Sequence, residues 1–128
     1  IIRLCDWFGV NELACSSDTV DCYNSKVIQS SMGSIARVRC NYQPNLEDYL
    51  KSLKKPIFGA TLDGESIYKK NLPTKAIYVF GNESNGISES INKILDEKLT
   101  IPNQRSMKRP NSLNVSTSVA IFLSEIFR

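Results

Sequence analysis

The 128-residue sequence predicts an α/β domain with a mainly parallel sheet and helices on both faces. Three observations predict it. Short strand-like runs alternate with runs whose apolar residues recur at helical spacing, the pattern of parallel strands joined by helical crossovers. One strand-like run, "KAIYVFG", is continuously apolar, as in a strand covered on both faces. The composition is that of a folded domain, 41% hydrophobic and 23% charged.

The elements follow in order. In "IIRLCDWFGV", Ile1, Ile2, Cys5 and Phe8 fall on one helical face and Gly9 stops the helix. "VNELACSS" reads as a short strand. A helix is expected from about Ser25 to Ala36, with Asn24 as N-cap because its side chain accepts an orphan backbone N–H. "RVRCNY" alternates like a strand. "PNLEDYLKSLKK" is an amphipathic helix capped by Asn45, with Asp48 at the third helical position and Leu46, Tyr49, Leu50 and Leu53 on one face; Pro56 closes it. "IFGATLDG" is a strand ending in a polar turn, and "KAIYVFG" is the next. "GISESINKILDE" reads as a helix beginning at Ile87, with Ile87, Ile91, Ile94 and Leu95 on one side. "KLTIP" is the last strand. A loop, "NQRSMKRP", leads to the final helix, where Val115, Val119, Phe122, Leu123 and Ile126 form the stripe.

Composition excludes several classes. The net charge of +3 permits an anionic partner without requiring one. No apolar run approaches the roughly 18 residues that span a membrane, and no signal-peptide pattern is present. The four cysteines, Cys5, Cys15, Cys22 and Cys40, form no CxxC pair, and histidine is absent, so no zinc site is expected. Reduced thiols in a cytoplasmic protein are the expectation. The chain opens on Ile1, already inside a helical pattern, and is expected to be a piece of a longer protein. Trp7 and Phe8 are the candidates for an exposed apolar contact between subunits.

In parallel sheets, ligands bind where strands end. After "AIYVF" comes "GNESNGIS", Gly81 to Ser88. Gly81 permits close approach of the backbone, and Asn82, Glu83, Ser84 and Asn85 offer polar side chains. A plain turn rich in turn formers accounts for the stretch equally well. It is neither a Walker loop nor a GxGxxG motif. After "KLTI" come Arg105, Lys108 and Arg109, then Ser112, Asn114, Ser116, Thr117 and Ser118. Asn111 or Ser112 accounts for one helix cap. The other hydroxyl and amide groups are poor helix formers and point to a polar partner at the helix start.

"IYVFGNESNGIS" followed by "IPNQRSMKRPNSLNVSTSVAIFL" resembles the second and third motifs of the SpoU (TrmH-like) RNA ribose methyltransferases of the SPOUT superfamily. "IIRLCDWFGV" resembles the end of their first motif, and "KVIQSSMGSIARV" the segment between motifs. The resemblance covers nearly the whole chain in order. It implies a catalytic domain with a C-terminal deep trefoil knot, S-adenosylmethionine as cofactor, and a homodimer. The implied reaction is methylation of a ribose 2′-hydroxyl of tRNA or rRNA.

By the same resemblance, Arg3, Glu83, Ser112 and Asn114 are catalytic candidates, and Gly81, Ile101, Leu113 and Ser116 are cofactor-binding candidates. Lys108 and Arg109 are candidates for RNA phosphate contact, and a solvated charged loop explains them equally well. No metal is implied. The sequence departs from the pattern in three places. The asparagine and glycine that precede the arginine are absent. Ser84 stands where glycine is usual. The loop from Asn103 to Asn111 is longer and more basic and lacks a glycine. Two alternatives remain: an RNA-binding member without catalysis, and an unrelated nucleotide-binding module.

Overall fold

The computed structural model describes residues 1–105 and 112–128. Lys108 and Arg109 lie outside these described residues. The chain divides into two units, Ile1–Tyr49 and Leu50–Arg128.

The first unit begins with α1 (Ile2–Trp7), which buries Ile2 and Cys5 and ends before Gly9, whose φ of 73° suits a glycine stop. Strands β1 (Glu12–Ser16) and β2 (Arg39–Gln43) pair in parallel. Leu13, Cys15, Cys40 and Tyr42 therefore share one face, and Glu12, Ala14, Asn41 and Gln43 the other. The first face lies over the core of Ile2, Cys5, Cys22 and Val38. Tyr42 OH accepts from the Cys22 backbone N–H at 2.8 Å and donates to Val20 O at 2.6 Å, which pins that loop over the core. The four cysteines are free thiols, and burial pushes those of Cys5, Cys15 and Cys40 up, Cys40 to about 12.

The opposite face is polar. Glu12 Oε1 accepts from Asn41 Nδ2 at 3.0 Å and from Tyr49 OH at 2.7 Å, and Arg39 pairs with its other oxygen. Asn41, then Arg39 and Tyr49, hold the Glu12 carboxyl down at about 2.

Helix α2 (Ser25–Ser31) starts at Asn24, whose side chain accepts from Lys26 N. It is shorter than the sequence predicts. Met32 and Gly33 both take positive φ, and Ser34–Ala36 continue as a separate 3-10 turn. That break lets the Ser34 hydroxyl reach Asp6 at 2.7 Å, beside the Arg37–Asp6 ion pair. Helix α3 (Leu46–Ser52) is capped as expected: Asn45 Oδ1 accepts from Asp48 N, and Asn45 Nδ2 donates to the Asp48 carboxylate.

The second unit is built on β3 (Ile57–Ser66), β4 (Ile77–Phe80) and β5 (Glu97–Thr100) in the order β4-β3-β5, all parallel. The expected single sheet is thus two sheets among the described residues, because alternation identifies strands but not their partners. β4 was expected to be covered on both faces; all four of its residues are half-buried. The reason is its edge position: β3 is the central strand, and it buries Ile57, Phe58 and Gly59.

Both faces of β3 are packed. Phe58 stacks on Tyr78 at 5.3 Å, and Phe122 of α5 (Val115–Ile126) meets Phe80 edge-on at 5.1 Å. Gly59 points the other way, where a Cβ would lie 2.4 Å from Leu95 Cδ1 and 3.1 Å from Ile87 Cδ1. Helix α4 is a single turn, Glu89–Asn92, capped by Ser88, not the long helix expected from Ile87. Ile87, Ile91 and Leu95 serve packing whether or not they are helical, so their spacing overstates the helix.

β3 leaves its register with β5 after Ala60 and resumes at Glu65, with Leu99 the partner of both. Residues 61–64 form an excursion that closes at Gly64, where a Cβ would fall 2.5 Å from Leu99 N.

The Glu12 network predicts a pH effect. A carboxyl lowered from 4.5 to about 2 contributes stability that is fully present above 4.5 and lost as pH falls toward 2. Urea unfolding followed across that window should show a shallower loss in Glu12→Gln than in the wild type.

Candidate functional site

The register fixes where the ends of the second unit's strands lie. Ala60 pairs with Phe80 on one side and Leu99 on the other. Gly81 and Ile101 therefore follow the last residues of β4 and β5 at the carboxyl edge, where β3 breaks register at Thr61 before pairing again at Glu65 and Ser66. The sequence drew attention to the residues after β4 and β5. It missed the register break inside β3 that begins at Thr61.

Among the described residues, Thr61 Oγ1 is buried without a hydrogen-bond partner. The hydroxyl points toward Asp63 without reaching hydrogen-bond geometry. That approach, followed by a backbone N–H and Lys98, holds the Asp63 carboxyl below its usual range. An orphaned buried hydroxyl costs about 1–3 kcal/mol. Beside it, Leu62 is 73% exposed, and Leu113, ahead of α5, is 48% exposed. Two open leucines and one unsatisfied hydroxyl suit a ligand with apolar faces and a few polar atoms.

The loop after β4 is held from within. Asn82 Oδ1 accepts from Ser84 N at 3.0 Å and Asn85 N at 2.6 Å, and Gly86 N donates to Asn82 O at 3.0 Å. The Asn82 side-chain oxygen is thus committed to the turn. Gly81 is needed for the same closure: a Cβ there would lie 2.1 Å from the carbonyl carbon of Gly86 and 2.3 Å from Ile87 N. Its close approach is thus to its own loop. The helix expected to start at Ile87 and to offer free N–H groups starts two residues later, under the Ser88 cap.

The start of α5 is also reassigned. The cap is Asn114, not Asn111 or Ser112, so Ser112 and Leu113 precede the helix. Asn114 Oδ1 accepts from Ser116 N at 2.9 Å and from Ser116 Oγ at 2.5 Å, while Asn114 Nδ2 donates to Glu83 Oε1 at 3.3 Å. Three candidates, Glu83, Asn114 and Ser116, are therefore joined in one chain of hydrogen bonds. Ser112 is exposed, and Ile101 is half-buried at the strand end.

Arg3 belongs to the first unit. It is exposed on α1 and makes no hydrogen bond or ion pair among the described residues. It borders a cavity of about 220 Å³ whose walls include Ile2, Leu13, Cys15, Val27 and Tyr42. Trp7 is 83% exposed, whereas Phe8 is half-buried, not the exposed contact expected. Among the described residues no cluster of His, Cys, Asp or Glu is arranged to hold a metal ion, and no helix is long and apolar enough to cross a membrane.

Fold and site together define an α/β domain in which the loops that follow β4 and β5 are tied together at the start of α5. The chain belongs to the SpoU rRNA Methylase family, whose model matches residues 1–124. It is 31% identical over 131 residues to a 23S rRNA (guanosine-2′-O-)-methyltransferase of Neisseria meningitidis, covering 99% of this chain and 51% of the relative. It is 29% identical to an uncharacterized tRNA/rRNA methyltransferase of Archaeoglobus fulgidus, covering 99% of this chain and 57% of that one.

Among solved structures, a TrmH-family RNA methyltransferase of Porphyromonas gingivalis superposes with a TM-score of 0.86 at 37% identity, covering 98% of this chain and 51% of its own. The SpoU methyltransferase AviRb of Streptomyces viridochromogenes, solved in complex with AdoMet, superposes with a TM-score of 0.85 at 25% identity, covering 100% and 53%. The chain thus spans about half the length of the relatives it matches.

Closure of the loop predicts the effect of Gly81→Ala. The added methyl must displace Gly86 and Ile87, and overpacking of this kind costs about 1–3 kcal/mol. A lower thermal midpoint, together with shifted backbone amide resonances at residues 82–87, is the expected result.

Proposed function

We propose that this chain is the catalytic domain of an S-adenosylmethionine-dependent methyltransferase acting on a ribose 2′-hydroxyl of tRNA or rRNA. The observation that carries the reading is the carboxyl edge. There Gly81 and Ile101 follow the ends of β4 and β5, β3 breaks register at Thr61, and Glu83, Asn114 and Ser116 form one hydrogen-bonded chain. Family membership and the 2′-O activity of the Neisseria relative support it.

The cofactor fits the residues present. Leu113 and Leu62 offer apolar surface for adenine, the strand ends at Gly81 and Ile101 offer backbone groups, and Thr61 Oγ1 has an unmet hydrogen bond. Ser116, already bonded to Asn114, would shape the pocket from the start of α5. When bound, S-adenosylmethionine supplies an electrophilic methyl group on a sulfonium sulfur.

The protein's task is then to hold the sugar in line and handle charge on its oxygen. The Arg3 guanidinium is a cationic fork of donors with no acceptor, so its role is to stabilise negative charge on the 2′-oxygen or the adjacent phosphate. Glu83 is a fixed acceptor beside the reacting groups, and the exposed Ser112 hydroxyl is free to bond RNA. Lys108 and Arg109 neutralise backbone phosphate. The deep knot and the homodimer belong to the same proposal. Family membership supports the first, and the exposed Trp7 supports the second.

Calorimetric titration with S-adenosylhomocysteine tests the pocket: binding is expected, with Leu113→Arg abolishing it and Thr61→Val weakening it several-fold. Transfer of labelled methyl to rRNA or tRNA, mapped as alkali-resistant linkages, tests the reaction. Arg3→Ala should remove transfer while leaving cofactor binding intact. A folded protein that binds no S-adenosylhomocysteine sinks the assignment.

A further inference from the structure

We infer that Asn114 is a positioning residue that locks Glu83 to the start of α5, rather than a group that contacts the substrate. The inference rests on the reading of Glu83 as a site residue. Its physical basis is the chemistry of one carboxamide. The Asn114 oxygen is spent on the helix, accepting from Ser116 N at 2.9 Å and Ser116 Oγ at 2.5 Å. Its nitrogen is left to donate to Glu83 Oε1 at 3.3 Å.

Among good N-caps, only asparagine has both an acceptor for the helix and an amide donor on the same planar group. Aspartate caps equally well but would turn a second carboxylate toward Glu83. Serine and threonine cap from a shorter side chain without the amide fork.

The bond matters because of what stands at each end. Glu83 sits in a loop that Asn82 has already made rigid through Ser84, Asn85 and Gly86. Asn114 is fixed by its cap to a helix whose Phe122 packs against β4. A single donor thus joins two rigid bodies, and the joint falls at the Glu83 carboxylate. Without it, the Glu83 side chain is free to rotate, since it is exposed and Asn114 is its hydrogen-bond partner among the described residues. Ser116 extends the joint, so the side chains at the helix start form a bracket.

The test uses Asn114→Asp, which keeps the cap and removes the donor, alone and combined with Glu83→Gln, which restores the bond with donor and acceptor exchanged. The thermal midpoint of Asn114→Asp should stay near that of the wild type, because the cap survives. Amide hydrogen exchange at residues 82–86 should quicken several-fold in the single variant and return to the wild-type rate in the double variant. The kcat for methyl transfer should fall about 10- to 100-fold in the single variant with KM for RNA little changed, as expected for a misplaced group.

Unchanged loop exchange in Asn114→Asp, or no recovery in the double variant, overturns the inference. A wild-type protein that transfers no methyl group while the exchange pattern holds overturns the methyltransferase reading and leaves the bracket standing.

Discussion

Ala60 has a register partner on each side, Phe80 in β4 and Leu99 in β5, and the second unit is arranged around that alignment. β4 ends at Phe80 and β5 one residue past Leu99, so Gly81 and Ile101 follow at one edge, where β3 breaks register. The stacked and edge-on rings of Phe58, Tyr78, Phe80 and Phe122 hold one face of the sheet, and Ile87 and Leu95 hold the other through the space left at Gly59. With both faces packed, the edge is where the strands leave room for function. The departure of β3 after Ala60 places Thr61 and Leu62 there in a state that packing alone does not favour: a hydroxyl without a partner and a leucine in solvent.

Much of the polarity that looks functional in the sequence is committed to architecture. Asn82 closes a turn, Ser88 caps a one-turn helix, and Asn114 caps the last helix. Glu12 and Asp6 in the first unit are likewise satisfied by neighbouring side chains, which is why their carboxyls lie low. The polar run ahead of the final stripe therefore has a mixed explanation. Asn114 and Ser116 serve the helix and Glu83 together, and Ser112 stays exposed.

Elements governed by neighbours in sequence were legible. Asn24 and Asn45 were readable as caps because each acts on an N–H two or three residues away. The stripe of the final helix was readable because Val119, Phe122, Leu123 and Ile126 repeat at the helical period, and all four are buried. The cap of that helix was not readable, since Asn111, Ser112 and Asn114 are all good caps within four positions. Local chemistry does not rank them, and the contact with Glu83, 31 residues away, is invisible to it. The length of α4 was misread because apolar spacing reports which residues pack, not the backbone that carries them.

The sequence by itself determined the class of fold, the order of strands and helices, and a set of candidate residues placed after β4 and β5. It did so because periodicity and capping are short-range, and because the motif residues keep their order along the chain. Only the tertiary structure decided that the strands form two parallel sheets and that β4 is an edge. It alone showed that Gly81 makes room for Gly86, that β3 breaks register at Thr61, and that Asn114 reaches Glu83. Each of those depends on a partner distant in sequence or on a turn whose closure is three-dimensional, and no local pattern encodes either.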